Sequence, residues 1–197
     1  MSNKIIEIKE VKLLDTILNV PYSSQYLSIK EKMLALTACG MTSVYMVLKY
    51  YKVKCSSLEG LVRKGVKNGG YSKSGWLHGY LIQTFTENGI SSQRKEHMKD
   101  SAIKEIGDSL KTGNPVIISM QRFSFDRRIF HMVVLVGVRE KKLENEKGET
   151  KIEGFFYHDP AGLNPEEVTN LFVPVGVFLQ YWRRMAIFPK NTLPSSM

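Results

Sequence analysis

Thr37-Ala38-Cys39-Gly40-Met41-Thr42-Ser43 leads into a run in which Val44, Val47, Leu48 and Tyr51 recur at helical spacing, with Lys49 and Lys52 off that face. The spacing predicts a helix that opens at Cys39. A thiol at a helix N-terminus lies in the positive end of the dipole, which favours thiolate over thiol. Two later segments hold the partners that such a thiol needs. His131 opens the apolar run His-Met-Val-Val-Leu-Val-Gly-Val (131–138), and Asp159 closes Phe155-Phe156-Tyr157-His158-Asp159-Pro160. One thiol, one imidazole and one carboxylate, each at the end of an element, point to a cysteine nucleophile with a base and a group that orients it.

Outward from Cys39, Leu58-Glu59-Gly60-Leu61-Val62 predicts a short second helix. Residues 67–75 are glycine-rich and read as a loop, without the Gly-Lys-Ser/Thr ending of a phosphate loop. Trp76 to Glu87 predicts a third helix stopped by Asn88-Gly89, and Ile103, Ile106 and Leu110 a fourth. From Pro115 the character changes. Residues 115–120, 131–138 and 152–157 are β-branched or aromatic runs, with weaker ones at 171–173 and 185–188 and a polar hairpin loop at 141–150. Helices first and strands afterwards predict an α+β domain, its thiol on a helix facing an imidazole and a carboxylate on a sheet. The expected boundaries are an extended lead-in over 1–19, one domain over 20–190 and a tail over 191–197.

Composition bounds the function. A chain of 197 residues with 43% hydrophobic residues can bury one substantial core. No stretch approaches the roughly 18 apolar residues of a membrane span, and Glu7 and Glu10 interrupt the N-terminus where a signal peptide would be apolar. A cytoplasmic location is expected, or a secreted one if a signal has been removed. The cysteines Cys39 and Cys55 form neither a disulfide framework nor a metal-ligand pattern. The net charge of +9 concentrates between Lys49 and Lys73, where Glu59 alone opposes seven Lys and Arg. Such a patch can attract nucleic acid. No helix-turn-helix, zinc finger or aromatic-basic stripe accompanies it, so a solvated basic face is the favoured reading and nucleic acid is disfavoured as a partner.

Five segments resemble, in order, the C39-like family of papain-like cysteine peptidases: Val20-Pro21-Tyr22-Ser23-Ser24-Gln25, the Cys39 motif running on to Tyr51, Gly113-Asn114-Pro115-Val116-Ile117-Ile118-Ser119, the His131 run, and His158-Asp159-Pro160-Ala161-Gly162. Together they cover residues 20–165. The resemblance implies a papain-like fold with N-terminal helices packed on a C-terminal antiparallel sheet. It implies Cys39 as nucleophile, His131 as general base and acid, Asp159 as the orienter of His131, and Gln25 as an amide donor to an oxyanion hole beside the N–H of Cys39. It also implies a peptide or protein substrate and no cofactor or metal. Two departures stand out. Gln25 precedes Cys39 by 14 positions (39 − 25), so residues 26–36 read as an insertion, and Met41 stands where a smaller residue or Pro is expected.

Two further functions stay open at this stage: an acyl or γ-glutamyl transferase on the same scaffold, and a catalytically idle module that holds a peptide or nucleic acid. Endopeptidase, isopeptidase and deamidase activity are not separable from sequence, nor is oligomeric state. His158, next to Asp159 in a strand, is expected to point away from it and to serve structure. Trp76, Tyr181 and Trp182 read as core or cleft wall. Asp126, Arg127 and Arg128 read as a solvated loop.

Overall fold

The apolar run after His131 is continuous rather than alternating because both faces of its strand are buried. Met132, Val134 and Val136 enter one core, while Val133, Leu135 and Val138 enter another. Val138 falls on the same face as the odd-numbered residues because the register slips between Leu135 and Gly137. This strand, β6 in the numbering below, is the centre of the fold.

The computed structural model describes residues 12–121, 130–143 and 149–191. The elements are β1 (Leu13–Ile17), α1 (Lys32–Leu36), α2 (Cys39–Tyr50), α3 (Leu58–Lys67), β2 (Tyr71–Ser72), β3 (Gly75–Trp76), α4 (His78–Glu87), β4 (Ser91–Lys95), α5 (Ile103–Lys111), β5 (Val116–Gln121), β6 (Phe130–Lys142), β7 (Thr150–His158), α6 (Pro165–Val168), β8 (Leu171–Pro174), α7 (Val175–Tyr181) and β9 (Trp182–Lys190). A 3₁₀ turn (Asp100–Ala102) precedes α5. Seven strands form one antiparallel sheet in the order β4-β9-β5-β6-β7-β8, with β1 pairing the far half of β6. The α+β class, with helices packed on an antiparallel sheet, is as expected.

The helical layer of α2, α3 and α4 covers one face through Val44, Val47, Leu48, Val62, Leu81 and Phe85. On the other face, α5 and α7 contribute Ile106, Leu110 and Phe178 against Phe155 and Ile118. Several elements lie beyond the sequence reading. Leu13–Ile17, inside the stretch read as an extended lead-in, is a strand whose approach requires Gly137, where a Cβ would meet Thr16 O at 2.5 Å. Residues 67–75, read as a loop, hold β2 and the start of β3, and Trp76, read as the start of a helix, completes this hairpin, with α4 beginning at His78. The insertion holds α1, and β4 carries SSQRK, a polar composition with no strand pattern, which pairs with β9. Within the hairpin loop, residues 144–148 lie outside the described residues, as do Asp126, Arg127 and Arg128.

Candidate active site

Helix α2 begins at Cys39 with no side-chain acceptor at its N-cap, Ala38. The first N–H groups of a helix have no intrahelical acceptor, so here they face the thiol and whatever lies against it. The N–H of Gly40 reaches the sulfur itself. Helix α2 is held down on nearly all sides: Gly40 to Val44 and Met46 to Leu48 are buried. Met41 is fully buried, which accounts for a large apolar side chain at that position. Gly40 is required by close packing, because a Cβ there would meet Trp76 Cδ1 at 2.9 Å and Met132 Sδ at 3.0 Å. The Trp76 indole N–H donates to Thr37 O at 2.6 Å, locking the chain that enters the helix.

His131 lies at the start of β6, buried, with its side chain turned to α2. It hydrogen-bonds the Cys39 thiol on one side, and its Nε2 lies 2.6 Å from Asp159 Oδ1 on the other. That assigns Nε2 to the carboxylate and leaves Nδ1 for the sulfur. The same Asp159 oxygen accepts the backbone N–H of Ala161 at 2.8 Å. The three residues sit on α2, at the β6 start and just past the β7 end, and the structure brings them into one hydrogen-bonded chain.

The electrostatics follow from that chain. Burial raises the Cys39 thiol, but the hydrogen bond and charge of His131, with the N–H groups of Met132 and Gly40, outweigh it and leave its pKa below the ordinary thiol value. Burial works to lower His131, and its bonds to Asp159 and Cys39, with their charges, override this and lift it to about 9. Both shifts favour thiolate beside imidazolium. Cys55 is the contrast: burial, without such a partner, pushes its thiol up.

The turn that carries Asp159 is strapped by residues 22–25, a role the sequence reading did not assign. The Tyr22 hydroxyl reaches the carbonyls of Asp159 and Gly162, both at 3.1 Å, and Ser24 Oγ donates to Gly162 O at 2.6 Å. The backbone N–H of Gln25 donates to Pro160 O at 2.8 Å. The Gln25 side chain is buried and donates through Nε2 to Ala35 O at 2.8 Å, while its Oε1 has no hydrogen-bond partner among the described residues. The insertion therefore folds back, and Gln25 lies beside the turn into α2 despite its distance in sequence. His158 points away as expected: its Nε2 donates to Val20 O at 3.0 Å and its Nδ1 accepts the N–H of Asn170. It ties the start of the strap to the sheet and takes no part in the thiol chain.

Cys39 and His131 open onto a cleft of ≈ 160 Å³. Tyr71 and Trp76 of the hairpin form one wall, and Ser119, Phe130 and Arg183 of the sheet form the other. Among the described residues, no three His, Cys, Asp or Glu side chains are grouped as metal ligands. No described helix is long and apolar enough to cross a membrane.

The Peptidase_C39 like family model matches residues 17–187. This chain belongs to that family. The solved structures agree on the fold. A putative C39-like peptidase from Bacillus anthracis is 19% identical, with a TM-score of 0.63 over 92% of this chain and 100% of its own. A double glycine motif protease from an AMS/PCAT transporter, solved with a leader peptide, is 22% identical, with a TM-score of 0.54 over 89% of this chain and 94% of its own. The peptidase domain of Streptococcus ComA, a bi-functional ABC transporter, is 17% identical, with a TM-score of 0.54 over 80% and 93%. A comparison with curated proteins gives no match. As a C39-like peptidase, the chain has its Cys39, His131 and Asp159 segments inside the matched residues.

Proposed function

We propose that this chain is a cysteine peptidase in which Cys39 is the nucleophile, His131 the general base and acid, and Asp159 the orienter of His131. The observation that carries the reading is the His131 ring held between the thiol and the Asp159 carboxylate. Attack of the Cys39 thiolate on a substrate carbonyl forms the C–S bond and places negative charge on oxygen. The N–H of Cys39 at the head of α2 is one donor assigned to that oxyanion, and the second N–H of the Gln25 amide, whose first is held by Ala35 O, is the other, each such donor typically supplying about 2.7–4 kcal/mol. The imidazolium then gives its proton to the departing amine as the C–N bond breaks. A water, deprotonated by His131, hydrolyses the thioester and restores the thiolate. Family membership and a neighbour solved with a leader peptide support a peptide as the substrate class.

The test is the intact mass after brief, sub-stoichiometric iodoacetamide at pH 6. An ordinary thiol, with a pKa near 8.5, is almost wholly protonated there and reacts slowly. Rapid labelling confined to Cys39, and lost in His131→Ala, is the expected result. Slow and equal labelling of Cys39 and Cys55 overturns the proposal.

A further inference from the structure

The cleft wall formed by the sheet contains an irregularity that the thiol chain does not use. Between β5 and β9, Ile118 pairs with Ala186 and Met120 with Trp182, so Ser119 alone stands opposite Arg183, Arg184 and Met185. Bulges of this kind re-aim side chains. Arg184 takes a left-handed backbone conformation at φ 58°, one that non-glycine residues adopt only when their surroundings enforce it, and its guanidinium is tied outward to Asp100 and Leu179 O. The result is that Arg183 turns into the cleft. Its guanidinium lies over the Phe130 ring at 3.3 Å from the centroid and donates to Ser119 Oγ at 3.3 Å.

Among the described residues Arg183 makes no ion pair, whereas the other described arginines, Arg63, Arg94, Arg139 and Arg184, each meet a carboxylate. His78 also lines the cleft, and the carboxylate near it, Glu96, is engaged by Arg94. The cleft thus presents a positioned cation that no carboxylate among the described residues pairs with. Burial already works against the charge on Arg183, so an arriving anion would meet a partly desolvated partner. A planar guanidinium fixed by stacking presents its remaining N–H groups as a fork that matches a carboxylate.

We propose that Arg183 is a specificity-determining residue that binds a carboxylate of the peptide held in the cleft. This rests on the peptidase reading above and adds to it the class of peptide preferred. The test uses peptidyl vinyl sulfones that alkylate the active-site thiol, carrying Glu or Gln at each position in turn. Second-order inactivation rates would be measured on the full chain and on Arg183→Gln.

The expected result is a Glu-to-Gln rate ratio of about ten at one position, the scale of a charge-assisted hydrogen bond, which falls to about one in Arg183→Gln. Arg183→Glu should then favour Lys at that position. Peptides cleaved by the wild type, compared as free acids and C-terminal amides, separate a terminal carboxylate from an acidic side chain; a free-acid preference lost in Arg183→Gln also supports the proposal. Equal rates for Glu and Gln probes and for acids and amides, with Cys39 still modified, overturn the Arg183 assignment and leave the peptidase reading intact. Failure of every probe to modify Cys39 overturns both.

Discussion

Asp159 hydrogen-bonds the base, His131, so its replacement separates orientation from nucleophilicity. In Asp159→Asn the amide keeps the shape but withdraws the charge that helps hold the His131 proton. With its pKa at about 9, His131 is the imidazolium below that pH and loses its proton above it. Hydrolysis, which needs that proton for the departing amine, should therefore fall away on the alkaline side near pH 9. In Asp159→Asn the alkaline limb should move to lower pH, and the maximal rate should fall by about 10²-fold or more, the scale of a lost general acid–base contribution. The pH profile of kcat/KM on both proteins checks this. An unmoved alkaline limb would mean that Asp159 does not hold the proton on His131. At the same scale, Cys39, His131 and Asp159 were legible because each carries chemistry found at few positions in the chain. Arg183 was not, because what distinguishes it is a bulge in a strand pairing, which only the folded sheet defines.

Among the elements, the strap over residues 22–25 and helix α2 set where the reacting groups lie. Tyr22→Phe removes a hydroxyl shared by the Asp159 and Gly162 carbonyls, which also meets the Ser24 side chain. A net loss of about 1 kcal/mol is expected, and if it falls on the position of Asp159 it lowers kcat about fivefold with little change in KM. Steady-state kinetics with a cleaved peptide would show it. A KM change alone would place the effect on binding instead. Gly40→Ala acts on the other side, pushing Trp76 or Met132 away from the head of α2. It should slow labelling of Cys39 at pH 6 and lower stability by about 1–3 kcal/mol, the usual cost of overpacking. Labelling kinetics and urea denaturation report the two effects separately. The elements that sequence reading found have a pattern of their own: α2, α3, α4, α5, β5, β6 and β7, and more weakly β8 and β9. Those it did not find are held by partners elsewhere. Strand β1 depends on the gap at Gly137, β4 on the ladder of β9, and the β2–β3 hairpin on Trp76 packing against Gly40 and Gly65.

In the whole molecule, the sheet separates two cores that do different work. The helix-side core contains Met132, Val134 and the face of α2, so any collapse there moves the thiol relative to His131. The opposite core, with Phe155 fully buried against Phe178, lies behind the sheet from the cleft. Phe155→Ala should cost about 3–5 kcal/mol through lost burial and the cavity left behind. For a chain of this size that corresponds to a fall in Tm of roughly 6–20 °C. Because β6 and β7 keep their backbone pairing, the His131–Asp159 bond spans strand ends that the substitution does not touch. Cys39 labelling well below the transition should therefore proceed at the wild-type rate, while calorimetry records the full loss. If labelling slows in proportion to the lost stability, the sheet transmits packing on its far face to the site, and the separation of the two cores fails as an account of how this fold positions its thiol.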